Sequence, residues 1–284
     1  MKARLPVVAG ACAAVIAVTA AAGLAAQGSR ASIYATVLNE RDQPVRGLQS
    51  ADLVLRDGGV RQGIVDAQPA SEPLAVAVVI YGFDAADVVS IRPSIDDAAR
   101  KLRMGNPATQ VGLVGAEPNV VMFGGDVTAW AVAVNATSTT PAAPSVVDAI
   151  IKASQALAAA PPDRRTVIAI VKAGEAKTID RPERLTQSLA AGRVALWTVE
   201  LAVSGAAPWT TAMNAALDEA ARQGGALRQP STSVDQVKAH LAVAVDCLLS
   251  QYLVTYNWPD PMLSTFSLVT RHDVGRVLTP SWSR

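Results

Sequence analysis

An unbroken apolar run, residues 74–80, empties directly into Tyr81-Gly82-Phe83-Asp84-Ala85. A run of this length bounded by a glycine-containing turn predicts a strand buried on both faces of a parallel sheet. In open α/β sheets ligands bind beyond the carboxyl ends of such strands, so this turn is the first place to look for chemistry. Its equipment is two aromatic rings and one carboxylate. Scaffold and site therefore point in different directions.

Lys2 and Arg4 precede an Ala/Val-rich stretch, residues 5–26, that closes on Leu24-Ala25-Ala26. Residues 1–26 form a signal peptide pattern, cationic start, apolar middle and small residues for cleavage. The stretch is also long enough to be retained as a membrane anchor, so both fates stay open. Ala9 stands three residues before Cys12, where a lipid-modified start favours leucine. Export to a periplasmic or extracellular location is the expectation. Cleavage removes two cations and no acid, turning the formal net charge of +1 into −1. That balance lacks the basic footprint of a nucleic-acid binder. It also removes Cys12 and leaves Cys247 without an intrachain disulfide partner, so packing must stabilise the mature chain.

Beyond the signal, three parts follow. Residues 32–72 hold short alternating strands at 33–38, 52–56 and 62–65, joined by Asp42-Gln43-Pro44 and Asp57-Gly58-Gly59, which predict a small β module. Residues 73–250 alternate apolar runs (74–80, 111–114, 166–171, 194–201) with helical patterns, the signature of a doubly wound, mostly parallel sheet. Residues 120–123 fit an antiparallel edge strand. Ser145 and Ser233 read as helix N-caps, the second in a capping box with Gln236, and Gly224-Gly225 stops a helix beginning near Thr210. Residues 251–284 carry a strand pair, 252–256 and 265–270, around Pro259-Asp260-Pro261.

The order of these elements resembles that of bacterial secreted VWFA-related proteins, which carry a von Willebrand factor A-like domain. The resemblance rests on the lead-in Gln43-Pro44-Val45-Arg46-Gly47-Leu48 through Leu53, the helix end Leu217-Asp218-Glu219 through Gly225, and the strand Tyr252-Leu253-Val254-Thr255-Tyr256-Asn257-Trp258-Pro259. It spans most of residues 33–278. It implies a Rossmann-like sheet, flanked by helices, and protein recognition. In members with an intact site it also implies a divalent cation held by an Asp-x-Ser-x-Ser turn, a Thr and an Asp, since Mg²⁺ takes hard oxygen donors. Here Tyr81 stands at the Asp position, and Phe83 and Ala85 at the two Ser positions. Pro144 stands at the Thr position with Ser145 beside it, and Ala173, within Lys172-Ala173-Gly174, at the last Asp. Every ligating position is lost or displaced, so no metal and no cofactor is expected.

Asp84, Glu175 and Glu200 all fall near strand carboxyl ends and could converge on a rim; alternatively they are solvated loop charges. Tyr81 and Phe83 either seal the vacated pocket or anchor a partner. No Gly-x-Ser-x-Gly elbow, His-Glu-x-x-His helix, phosphate loop or Gly-x-Gly-x-x-Gly turn is present. His240 and Cys247 lie seven residues apart on one helix, about 10 Å along its axis, too far for proton transfer. His272 beside Asp273 fits a surface turn, and Asn135-Ala136-Thr137 a glycosylation pattern used only in eukaryotic secretion.

The expected protein is therefore a non-enzymatic, exported binding module with an unidentified protein partner. It touches no nucleic acid, and touches a membrane only through an uncleaved N-terminus. Its expected contact surface is the loops 81–85, 135–145 and 174–180, with Tyr81, Gly82, Phe83, Asp84, Ser145 and Glu175 as partner-facing residues. Two alternatives remain: an envelope component pairing through an exposed strand such as 252–256, and an enzyme using the scattered acids.

Overall fold

Strands and helices alternate from Leu74 onward, as the apolar runs require. The computed structural model describes residues 30–115, 120–139, 145–161, 164–173, 183–202, 211–257, 266–271 and 275–281. The signal segment lies outside them. The α/β unit comprises β5 (Leu74–Tyr81), α1 (Ala85–Gly105), β6 (Gln110–Val114), β7 (Val120–Met122), α2 (Val127–Ala136) and α3 (Val146–Ala158), then β8 (Arg164–Lys172), α4 (Glu183–Gly192), β9 (Val194–Leu201), α5 (Thr211–Gln223), β10 (Arg228–Ser231) and α6 (Val234–Leu249). Its six strands lie in the order β10-β9-β8-β5-β6-β7. All neighbours run parallel except β7, which pairs antiparallel with β6 as the edge strand expected at 120–123.

Alternation along β5 decides which helices cover which face. Val76, Val78 and Ile80 join Ile168, Ile170, Trp197 and Val199 beneath α1, α2 and α6. Ala75, Ala77, Val79 and Tyr81 join Val167, Ala169 and Val171 beneath α3, α4 and α5. The alanines on this second face leave room for α3, whose own Ala149 and Ala153 are fully buried. Burying each Val or Ile contributes about 1.5–3 kcal/mol, and this two-faced core is the main stabilising element of the unit. The predicted caps hold: Ser145 Oγ accepts from the Asp148 N–H at 3.1 Å, and Ser233 Oγ from the Gln236 N–H at 3.2 Å. Gln236 reaches back one residue further than a capping box requires, accepting from the Thr232 N–H at 2.7 Å.

The two ends of the chain combine. β1 (Arg30–Leu38), β4 (Ile64–Pro69), β11 (Tyr252–Asn257) and β13 (Arg276–Leu278) form one sheet, ordered β13-β1-β11-β4. β2 (Leu53–Asp57), β3 (Val60–Gln62) and β12 (Phe266–Thr270) form a second. Between them Ile33, Ala35, Val37, Leu53, Leu55, Tyr252, Val254, Tyr256 and Leu268 make a separate core. The lead-in module and the C-terminal strands, read apart in the sequence, are thus one β-sandwich. The expected strand at 62–65 is divided at Gly63 between β3 and β4, and β13 is an addition to the expected pair. Gly58 and Gly59, at φ of 58° and 80°, form the two-residue turn that joins β2 to β3, where positive φ at both positions matches the strand twist.

β11 lies between β1 and β4 and is paired on both sides. It offers no free edge, which removes the 252–256 strand as a pairing surface for another chain. In the α/β unit, Asn135 and Ala136 belong to α2 rather than to a loop, and residues 140–144 lie outside the described residues.

Cys247 is fully buried on α6, and burial pushes its thiol up to about 12. The thiolate is the nucleophile, so this group is inert. In a Cys12→Ser chain, a soluble aromatic disulfide reagent at about pH 8 is expected to leave Cys247 untouched until denaturant is added. Rapid native labelling would show that α6 opens locally.

Candidate functional site: the crevice at the end of β5 and β8

Numbering the α/β strands from β5, the order is 6-5-4-1-2-3, and the chain reverses its winding direction between β5 and β8. A crevice forms at such a switch point, outside the carboxyl ends of the two strands. Tyr81 pairs with Val171 at the end of the β5–β8 ladder, so the next residues, Gly82 and Lys172, form the crevice mouth. Gly82 has φ of 79°, and a Cβ there would lie 3.1 Å from the Lys172 carbonyl oxygen. The glycine thus permits both the left-handed turn and the close approach of the two strand ends.

Tyr81 and Phe83 do not present their rings to solvent. Tyr81 is 8% exposed in the core beneath α3, and Phe83 is 3% exposed in the core beneath α1 and α6. The turn sends its two aromatics to opposite faces of the sheet, and each is consumed by packing. That corrects their expected role as partner-facing residues. The exposed part of the turn is Asp84, with Ala85 and Ala86 beside it.

Asp84 is the N-cap of α1, accepting from the Asp87 N–H at 2.9 Å. Its second oxygen accepts from Lys172 Nζ at 3.1 Å, and the same ammonium donates to Asp87 Oδ2 at 2.7 Å. One ammonium therefore bridges two carboxylates in the first turn of α1, where the helix dipole also favours negative charge. The Asp87 N–H, then the Lys172 hydrogen bond, hold the Asp84 carboxyl below its ordinary value of 3.8. The hydrogen bond to Asp87 outweighs partial burial and raises Lys172 above 10.5. The sign follows for each. Asp84 contributes stability at neutral pH that is lost as pH falls through its lowered value; Lys172 contributes stability that is lost as pH rises through its raised one. The bridge is intact between.

Ser145 Oγ donates to Asp148 Oδ2 at 2.7 Å besides capping α3, so both its roles are internal. Ala173 bonds its backbone N–H to the Leu201 carbonyl at 2.8 Å and offers only a methyl side chain. Glu175, Pro144 and the loop 174–180 lie outside the described residues. Glu200 is 4% exposed on β9 and takes a two-pronged contact from Arg228 of β10, its Oε2 accepting from the guanidinium at 2.8 Å. Arg228 also reaches Asp218 at 3.1 Å. Asp84 and Glu200 thus each serve a different cation and do not act on one point. Among the described residues no group of three or more His, Cys, Asp or Glu side chains is placed to hold a metal ion.

Sequence reasoning missed Lys172 and Asp87 as members of the site. The available signal was a pair of acids at the cap and third position of α1 facing a lysine at the end of the adjacent strand. His240 donates or accepts at Nδ1 with Ser231 Oγ at 2.8 Å, and burial lowers its pKa, so it serves the packing of α6 on β10.

The strand order, the antiparallel edge and helices on both faces define a Rossmann-like, doubly wound α/β domain. No family model and no curated protein matches the chain. Among solved structures it is similar to the VWA domain of SpRpn10, at 16% identity and TM-score 0.41, over 60% of this chain and 94% of that one. It is also similar to a von Willebrand factor type A protein from Catenulispora acidiphila, at 10% identity and TM-score 0.40, over 90% and 75%. A third is the PilB minor pilin from Streptococcus sanguinis, at 9% identity and TM-score 0.44, over 80% and 91%.

Proposed function

We propose that this chain is an exported, non-enzymatic von Willebrand A-type module that binds a protein partner without a bridging metal ion. The observation that carries the reading is the Lys172 ammonium held between Asp84 and Asp87 at the switch-point crevice. A divalent cation there would find no oxygen donor from Phe83 or Ala173, whose side chains are a phenyl ring and a methyl, and would meet a fixed positive charge between the two carboxylates, in place of the oxygen cage that Mg²⁺ requires. The residues present do not fit the ion.

The non-enzymatic part is supported by the separate commitments of Asp84 and Glu200, because acid–base work needs groups within hydrogen-bond reach of one substrate. Export is supported by the cationic and apolar pattern of residues 1–26. No helix among the described residues is long and apolar enough to cross a membrane.

The contact surface then falls on the exposed residues around the crevice, Asp84, Ala85 and Ala86, rather than on the aromatic rings. Capture from bacterial envelope extract, with and without excess EDTA, tests this. The same partner is expected in both conditions and is expected to be lost with Ala86→Arg, which adds bulk where α1 begins. A partner lost on adding EDTA, or retained unchanged by Ala86→Arg, contradicts the reading.

A further inference from the structure

We infer that the Lys172 ammonium is the resident cation of this crevice, a tethered substitute for an ion, and that its charge keeps divalent cations out. The inference rests on the metal-independent reading above and deepens it. Loss of the oxygen donors at positions 81, 83 and 173 explains why an ion would bind poorly. It does not explain why two carboxylates, from the cap and the first turn of one helix, converge on a single point.

That point is Nζ, 3.1 Å from Asp84 Oδ2 and 2.7 Å from Asp87 Oδ2. Two acids this close repel each other and need a cation between them. The fold supplies one from the neighbouring strand. Lys172 ends β8, its side chain is only 18% exposed, and its backbone is pinned against Gly82. A lysine ammonium is a compact, strongly hydrated point charge on a flexible stem, suited to filling a place of ionic size. Being covalently attached, it competes with solvent ions at a high effective concentration. An incoming divalent ion would have to displace it and then share the carboxylates with it at short range, against charge repulsion.

Without the ammonium, what remains is one exposed and one half-buried carboxylate with two negative charges, a weak site for a hard cation. Mn²⁺ added to the purified protein, followed by loss of the free-ion paramagnetic resonance signal, reads this directly. Wild type and Lys172→Arg, which keeps the charge, are expected to take up no stoichiometric Mn²⁺. Lys172→Ala and Lys172→Gln are expected to take up one ion, at least about tenfold more tightly than wild type, and to lose it when Asp87→Asn is added. Unchanged circular dichroism spectra certify that the variants are folded. If wild type and both neutral variants are equally silent, the tethered-cation inference fails while the metal-independent reading stands. Stoichiometric uptake by the wild type overturns both.

Discussion

Arg164→Ala is expected to lower the free energy of unfolding by about 3 kcal/mol or more, read as an earlier midpoint in urea. Arg164 opens β8 and is 6% exposed. Its guanidinium donates to the Glu72 carbonyl at 2.6 Å, the Leu248 carbonyl at 2.8 Å and Gln251 Oε1 at 2.9 Å. It also lies 5.3 Å from the centre of the Tyr34 ring. Glu72 belongs to the connection between β4 and β5, and Leu248 and Gln251 flank the connection between α6 and β11. These are crossovers between the β-sandwich and the α/β unit, and one buried side chain clasps both while touching β1. Truncation leaves one buried and two half-buried acceptors unpaired at once, the buried one costing about 1–3 kcal/mol when orphaned and the other two less. Lysine is expected to rescue little, because an ammonium lacks the planar fork that spans three acceptors. A loss below about 1 kcal/mol would show that the two units are held together elsewhere.

Glu200→Ala is expected to cost about 3 kcal/mol, because it leaves the Arg228 guanidinium largely buried without its principal anion. Among the described residues, Arg228 would retain exposed Asp218 and the side chain and carbonyl of Asn214. The informative companion is Glu200→Met with Arg228→Met. Replacing both members of a buried pair by apolar groups removes the desolvation cost together with the attraction, so the double variant is expected to recover most of the loss. Thermal unfolding of the two variants in parallel decides it. If the single variant is as stable as wild type, Glu200 is not a structural anion, and the case for acids acting on a substrate reopens.

The α/β frame was legible because most of its strands are apolar runs alternating with helical patterns, several of which carry a readable N-cap. β5, β8 and β9 fall where residues 74–80, 166–171 and 194–201 place them. β10 was not legible. Arg228-Gln229-Pro230-Ser231 has no apolar run and contains a proline, and it becomes a strand by pairing in parallel with β9 and anchoring Arg228 on Glu200. Nor could local pattern show that the two chain ends share one sandwich, since that pairing joins residues more than 200 positions apart.

The residues that carried the family resemblance prove to be joints. The Tyr252 hydroxyl donates to the Val45 carbonyl at 3.1 Å and accepts from the Leu48 N–H at 3.0 Å, tying the lead-in to β11. A Cβ at Gly225 would lie 2.5 Å from the Thr279 carbonyl carbon, so the paired glycines admit the C-terminal segment against α5. These residues speak to architecture and leave the crevice undetermined. There the substituted positions 81, 83 and 173 could be read directly, whereas the Lys172 bridge depends on two strand ends meeting in space.

Titration calorimetry of the wild-type protein with Mg²⁺, Mn²⁺ and Ca²⁺ tests the central claim most directly. A switch-point crevice without oxygen donors at positions 83 and 173 and filled by a bridging ammonium predicts no stoichiometric heat for any of the three ions. A one-to-one micromolar signal abolished by Asp84→Ala would contradict it, placing a working cation site where a lysine now bridges two acids.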